Sequence, residues 1–291
     1  MGVGVKPHVY ELLEHLGSGA SGSVHRTRDR DGLDRALKVL VNPEPDALRR
    51  FEREARLLAK ATDVHNIVKI YDIRLDDPKP FFTMELCDGS LRDFVGKMSE
   101  EEAITCIAQA ALGLHFLHKN CGFHRDIKPG NLLYIEGDNG RVVKVGDMGL
   151  ARLPTDLSFT QMWGGTFGYI APEVGAGSPF ESASDIYSLG ITLIELVTGE
   201  RNPKNAAKLQ SVEVQQIVKA MVAADPEKRP KAQDVWLKFS RMLTPQPAPN
   251  VTKPVARPRK AGGDWVGGLL LGLLGVAAIA TVASLADSDK K

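Results

Sequence analysis

Cysteine is scarce in this chain, neither sign of charge prevails, and no long apolar run opens it. The three cysteines, Cys87, Cys106 and Cys121, are odd in number and have no metal-ligand spacing. That argues against a disulfide framework or a thiolate metal site, and for buried reduced thiols. A net charge of +1 argues against a nucleic-acid-binding surface spread over the fold. Met1 to Leu16 holds nothing that reads as a secretory leader, and Lys6 stands where a myristoylation signal at Gly2 needs Ser or Thr. What is present is ordinary for a globular protein. With 43% hydrophobic and 25% charged residues, 291 positions suffice for the core of one large or two medium domains.

Up to about residue 85, alternating apolar segments at Tyr10–Leu16, Ala36–Val41, Ile67–Leu75 and Phe81–Leu86 predict strands. Among them Leu48, Phe51, Ala55 and Leu58 recur at helical spacing, so one amphipathic helix interrupts the strands. From about Gly89 the pattern turns helical. Ile104, Ile107, Ala108, Ala111, Leu112 and His115 mark a long helix, and Asp185 to Val197 reads as a helix buried on most sides. Ala232, Val235, Trp236, Phe239 and Leu243 form the last stripe of the folded region.

Thr244 to Gly263 then carries five prolines and no apolar periodicity, which predicts an extended, disordered linker over 244–264. Its second half holds Lys253, Arg257, Arg259 and Lys260 with no acid among them. Val266 to Ala286 follows, 21 residues without an ionisable side chain. As a helix this is about 32 Å long, against about 30 Å of bilayer hydrocarbon, and Trp265 sits at its boundary. A transmembrane helix over 265–286 is expected. The four basic residues before it outweigh Lys290 and Lys291, which Asp287 and Asp289 offset, so the folded region should face the cytoplasm and 287–291 the other side. Gly268 and Gly272 offer a weak small-residue motif for self-association; simple tethering is the preferred reading.

The chemistry concentrates in four places. Gly17-Ser18-Gly19-Ala20-Ser21-Gly22-Ser23-Val24 lies between strand-like runs, where glycines let backbone N–H groups approach phosphate oxygens; by itself a Gly/Ser hairpin looks the same. No strand-to-helix transition follows, against a dinucleotide fold, and no Gly-Lys-Ser/Thr ending, against a P-loop. Lys38 is a lone charge in an apolar strand, and Glu54 on the following helix is a fitting carboxylate partner, with phosphate as the lysine's other ligand. Asp126 and Asn131 lie on a loop after the long helix, and Asp147 after two short strands, Leu132–Ile135 and Val142–Val145. Asn131 and Asp147 fit the hard-oxygen demand of Mg²⁺ (or Mn²⁺) when a triphosphate supplies the remaining ligands. Asp126 would orient and deprotonate an attacking hydroxyl, and Lys128 would neutralise the transferring phosphoryl.

In their order and spacing these residues resemble the eukaryotic-type (Hanks-type) protein kinase family, in particular bacterial membrane-anchored serine/threonine kinases. The likeness covers roughly residues 8–243. It runs through the Gly-rich segment 17–22, Lys38, Glu54, the loop 124–131, the triplet 147–149, and Gly165 to Glu173. It implies an α+β bilobal fold, with a small β-rich N-lobe (about 1–87) and a larger helical C-lobe (about 88–243). It also implies ATP bound by Gly17, Ser18, Gly19, Gly22, Val24, Lys38 and Glu54, Met84 as gatekeeper, and Glu85 to Cys87 as the hinge that meets adenine. Glu173 would pair with Arg229, and Asp185 would fix the catalytic-loop backbone. Lys128 and Thr166 resemble the serine/threonine branch. Arg125 suggests control by an activation-loop phosphate, with Thr160 first, then Ser158 and Thr155, as acceptors.

Partners implied are Ser/Thr-bearing proteins, a second copy in trans or as a homodimer, membrane lipid through 265–286 and the basic linker, and no nucleic acid. Met148 stands where the family has Phe, Ser21 where it often has an aromatic, and the stretch between Gly199 and Arg229 is short. A pseudokinase reading would need one of Lys38, Asp126 or Asp147 to be missing, and all three are present. His115 and His118, three apart on a helix, read as packing residues rather than metal ligands.

Overall fold

A computed structural model describes residues 10–19, 22–61, 63–138, 140–147 and 167–243. Met148, Thr155, Ser158, Thr160, Thr166, the linker and the segment 265–286 therefore lie outside the described residues. Among the described residues no helix is long and apolar enough to cross a membrane.

The amino-terminal part is an antiparallel sheet of five strands: β1 (Glu11–Gly19), β2 (Gly22–Arg28), β3 (Asp34–Val39), β4 (Ile70–Arg74) and β5 (Phe81–Met84). Their spatial order is β1-β2-β3-β5-β4. One helix, α1 (Pro45–Lys60), starts on a proline at its first turn, where the missing N–H has no helical partner to lose. Its buried face is Phe51, Glu54, Ala55 and Leu58, and the Phe51 ring lies 4.9 Å from that of Phe82 on β5. That face holds α1 to the sheet at β5, where Phe82 lies opposite Lys38 of β3.

The remainder is mainly helical. A short strand β6 (Gly89–Ser90) pairs with the hairpin of β7 (Leu132–Gly137) and β8 (Gly140–Val145). Helix α2 (Glu100–Asn120) opens with a capping box in which Ser99 and Glu102 satisfy each other's backbone N–H. After α3 (Pro172–Gly175) comes α4 (Ser182–Thr198), in which every residue from Ser184 to Leu196 is buried. It ends at Gly199 in the left-handed conformation. Two amphipathic helices, α5 (Val212–Met221) and α6 (Ala232–Leu243), complete the core with Val214, Ile217, Val218 and Met221, and with Val235, Trp236 and Phe239. Each such buried side chain contributes about 1.5–3 kcal/mol, enough to make the stacked helices a rigid base.

The structure corrects the sequence reading in three places. Residues 22–28 form a strand, although His25-Arg26-Thr27-Arg28 carries no apolar alternation; the buried member is Thr27, whose hydroxyl donates to the Glu11 carbonyl at 2.7 Å. The strand expected over Ile67–Leu75 starts only at Ile70. Ile67 instead forms a parallel bridge to Val145, and Asn66 and Val68 bond the same strand, because this loop is held by β8 rather than by the five-stranded sheet. Helix α5 occupies ten of the residues between Gly199 and Arg229, where the sequence reading placed no element.

Candidate active site

The glycine-rich run is the end of a hairpin rather than a free loop: Gly17, Ser18 and Gly19 finish β1, and Gly22 and Val24 begin β2. Gly22 has φ +132°, and a Cβ there would stand 2.1 Å from the Val39 carbonyl oxygen, so no other residue fits between β2 and β3. Pairing then places Val24 opposite Lys38, and Lys38 opposite Phe82.

Lys38 is buried and makes two ion pairs, to Glu54 Oε1 at 2.7 Å and to Asp147 Oδ1 at 2.6 Å. Burial opposes its charge, but the two carboxylates outweigh that and hold the ammonium above its ordinary range. Burial pushes the Glu54 carboxyl up to about 7, against the pull of Lys38. Partial burial works against the half-exposed Asp147 carboxylate, yet Lys38 holds it below the usual range. A protonated Glu54 releases its claim on Lys38. The acid limb of a kcat/KM profile therefore falls with a midpoint near pH 7, and Glu54→Gln should abolish that limb while lowering the plateau. A pH series of initial rates decides it; a limb unchanged in the variant removes Glu54 from the account.

The second cluster sits where α2 ends and the β7–β8 hairpin closes. Asn131 precedes β7 and Asp147 follows β8, and a hydrogen bond from Gly146 N to the Asn131 carbonyl at 3.0 Å joins the two ends. Two residues sixteen positions apart thus meet because an antiparallel hairpin lies between them. Asp126 Oδ2 accepts from Lys128 Nζ at 2.7 Å and from Asn131 Nδ2 at 2.9 Å. Its Oδ1 is buried and, among the described residues, has no partner, on a side chain only 10% exposed.

Beneath this loop lies Asp185, fully buried at the first turn of α4. It accepts from His124 N and Arg125 N, both at 2.8 Å, and lies 2.9 Å from His118 Nε2. His124 in turn bonds the Gly146 carbonyl at 2.9 Å, linking the loop to the residue before Asp147. Arg125 and Asp147 both have positive φ, 72° and 49°. For Arg125 this costs on the order of 1–3 kcal/mol, which the two bonds to Asp185 help to offset. Farther down, Glu173 receives both Arg229 terminal nitrogens at 2.7 Å.

Met84 ends β5, and Glu85 to Cys87 form the extended link to β6. Burial, then the nearby Glu85 carboxylate, pushes the Cys87 thiol up to about 12, so it stays protonated beside the link.

The residues suit a divalent cation. Both Asn131 hydrogen bonds, to the Asp126 carbonyl and to Oδ2, leave through its NH2, so its carbonyl oxygen remains to ligate, and Lys38 engages only one Asp147 oxygen. No group of three or more His, Cys, Asp or Glu surrounds a common point among the described residues, so a cation here needs further oxygens from its own ligand. The sequence reading did not single out Lys144 or Arg53, and it took His124 only as part of the loop 124–131. Burial, and then the positive charge of Arg53 on α1, holds Arg125 below its ordinary range, with Asp185 pulling the other way.

Comparison with known proteins agrees with this geometry. A family model described as the protein kinase domain matches residues 10–240. The serine/threonine-protein kinase PknB of Mycobacterium leprae is 39% identical over 212 residues, 67% of this chain and 33% of that protein. PknB of Mycobacterium tuberculosis (strain H37Rv) is 40% identical over 207 residues, 66% of this chain and 32% of that protein. Serine/threonine-protein kinase A of Synechocystis is 37% identical over 212 residues, 66% of this chain and 40% of that protein. The matched stretch thus spans between 32% and 40% of these relatives' length.

Proposed function

Because the chain belongs to the protein kinase family, we propose that it transfers the γ-phosphoryl group of ATP to serine and threonine hydroxyls of proteins. The observation that carries this reading is the free, buried Oδ1 of Asp126, whose companion oxygen is held by Lys128 and Asn131. A substrate hydroxyl presented to that oxygen is oriented and loses its proton there. Lys128, 2.7 Å from the same carboxylate, neutralises charge on the phosphoryl as it moves. Lys38, set by Glu54, holds the ATP phosphates, and the N–H groups of Gly17, Ser18, Gly19 and Gly22 lie over them. Mg²⁺ or Mn²⁺, held by Asn131 and Asp147, supplies neutralisation of the triphosphate when bound. Val24, Met84, Glu85 and Cys87 enclose and read the adenine.

Regulation is part of the proposal. Arg125, next to Asp126, is suited to receive an anionic phosphate from the activation segment, with Thr160 as first acceptor and Ser158 and Thr155 after it. The apolar segment 265–286 and its basic linker anchor the chain to a membrane with the catalytic part in the cytoplasm. Confinement to one surface raises the effective concentration for phosphorylation in trans between two copies.

Incubating the full chain with Mg-ATP and a generic basic protein tests the activity. Phosphoserine and phosphothreonine without phosphotyrosine are expected. Nucleotide binding without any transfer would leave a membrane-tethered binding module instead.

A further inference from the structure

Lys144 is the other lysine buried in an apolar strand. It lies on β8, three residues before Asp147, in the run Val142-Val143-Lys144-Val145. Its ammonium touches neither Asp126 nor Asp147. It donates to the His65 carbonyl at 2.8 Å and pairs with Glu85 Oε2 at 3.0 Å. Those contacts join three pieces of chain remote in sequence: the loop after α1, the first residue of the link after β5, and the strand that leads to Asp147.

The surrounding bonds show what this lysine positions. Glu85 N donates to the Lys69 carbonyl at 2.8 Å, so its backbone is fixed on one side by β4's approach. Val145 N and Val68 N bond across to the Asn66 and Val145 carbonyls, and Asn66 Nδ2 bonds the Val143 carbonyl. Loop 64–68 and β8 are therefore one unit, and Lys144 is its side-chain tie to Glu85. Desolvating an ammonium this far is costly unless its partners are held in place. A lysine that served solubility would instead reach water along its stem.

We infer that Lys144 is a positioning residue for adenine: by holding the Glu85 carboxylate it fixes the backbone of residues 85–87, against which the base is read. This rests on the kinase reading and adds to it a determinant of base affinity outside the nucleotide contacts. The phosphate end of the ligand is governed separately, by Lys38, so loss of Lys144 should separate the two halves of ATP.

The test measures binding of ADP, adenosine and inorganic tripolyphosphate to the full chain, for the parent and for Lys144→Met. Adenosine and ADP should weaken about tenfold, the worth of one misplaced hydrogen bond, with tripolyphosphate unchanged. In turnover, the KM for ATP should rise by a similar factor while kcat holds. If Lys144→Met fails to fold, Glu85→Gln, which keeps the side-chain shape and removes the charge, should show the same selective loss. Equal weakening of adenosine and tripolyphosphate marks a general structural role and overturns the inference, as does unchanged adenosine affinity in both variants. A parent chain that binds no ADP overturns the kinase reading itself, a result distinct from either.

Discussion

Asp126→Asn lowers kcat by about 10³-fold, some 4 kcal/mol of barrier, while leaving Mg-ATP affinity within about twofold. The asparagine keeps the side-chain shape and still accepts from Lys128, but no longer takes up a proton. Asp126 lies among groups already satisfied, since Asn131 bonds both its carbonyl and its Oδ2 and Lys128 covers Oδ2. The substitution therefore disturbs the oxygen that has no partner among the described residues and little else. Steady-state transfer of labelled phosphate, with nucleotide binding measured alongside, separates the two effects. Turnover at the parental rate would mean that another group receives the hydroxyl proton.

Arg229→Met destabilises the fold by about 3–5 kcal/mol, the cost of stranding one member of a buried ion pair. The Arg229 side chain is wholly enclosed and Glu173 is 17% exposed. Besides the two bonds to Glu173, the guanidinium donates to the carbonyls of Ala183, Ala223 and Ala224, so one side chain ties α3, α4 and the turn before α6. The loss should depend on pH. Burial alone raises the Glu173 carboxyl, but Arg229 outweighs it and holds it below its ordinary range. A depressed carboxyl contributes stability that is complete above its unfolded pKa, about 4.3, and disappears as pH falls through its folded value. Parent and variant should therefore differ most near neutral pH and converge in acid, read from urea midpoints at each pH.

Much of this arrangement was legible before any coordinates. Leu48, Phe51, Ala55 and Leu58 announced α1, because a helix buried on one side must repeat its apolar residues every three to four positions. Strand β2 stayed hidden because it is partly open to water along its length and hides a threonine rather than an aliphatic residue. Lys38 was found as a lone charge in an apolar strand. Lys144 carries the same signal, but its partner Glu85 is fifty-nine residues away rather than on the next element, so nothing local marks it. Nothing local separates Arg53 from Arg49, Arg50 or Arg56 on the same helix; that its charge acts on Arg125 follows from where α1 is placed. Asp185 was readable as the opening of a buried helix, and the family resemblance implied its tie to the loop at 124–131; nothing local shows its bonds to residues 124 and 125, which depend on how the helical layers stack.

The two carboxylates that share Lys38 differ in how far each is open to water. Glu54 is 2% exposed and has nowhere to go, whereas the Asp147 side chain is 51% exposed. A phosphate reaching Lys38 would compete with the exposed carboxylate rather than the buried one, so nucleotide should strengthen divalent-ion binding at Asp147 beyond what its one unengaged oxygen supports alone.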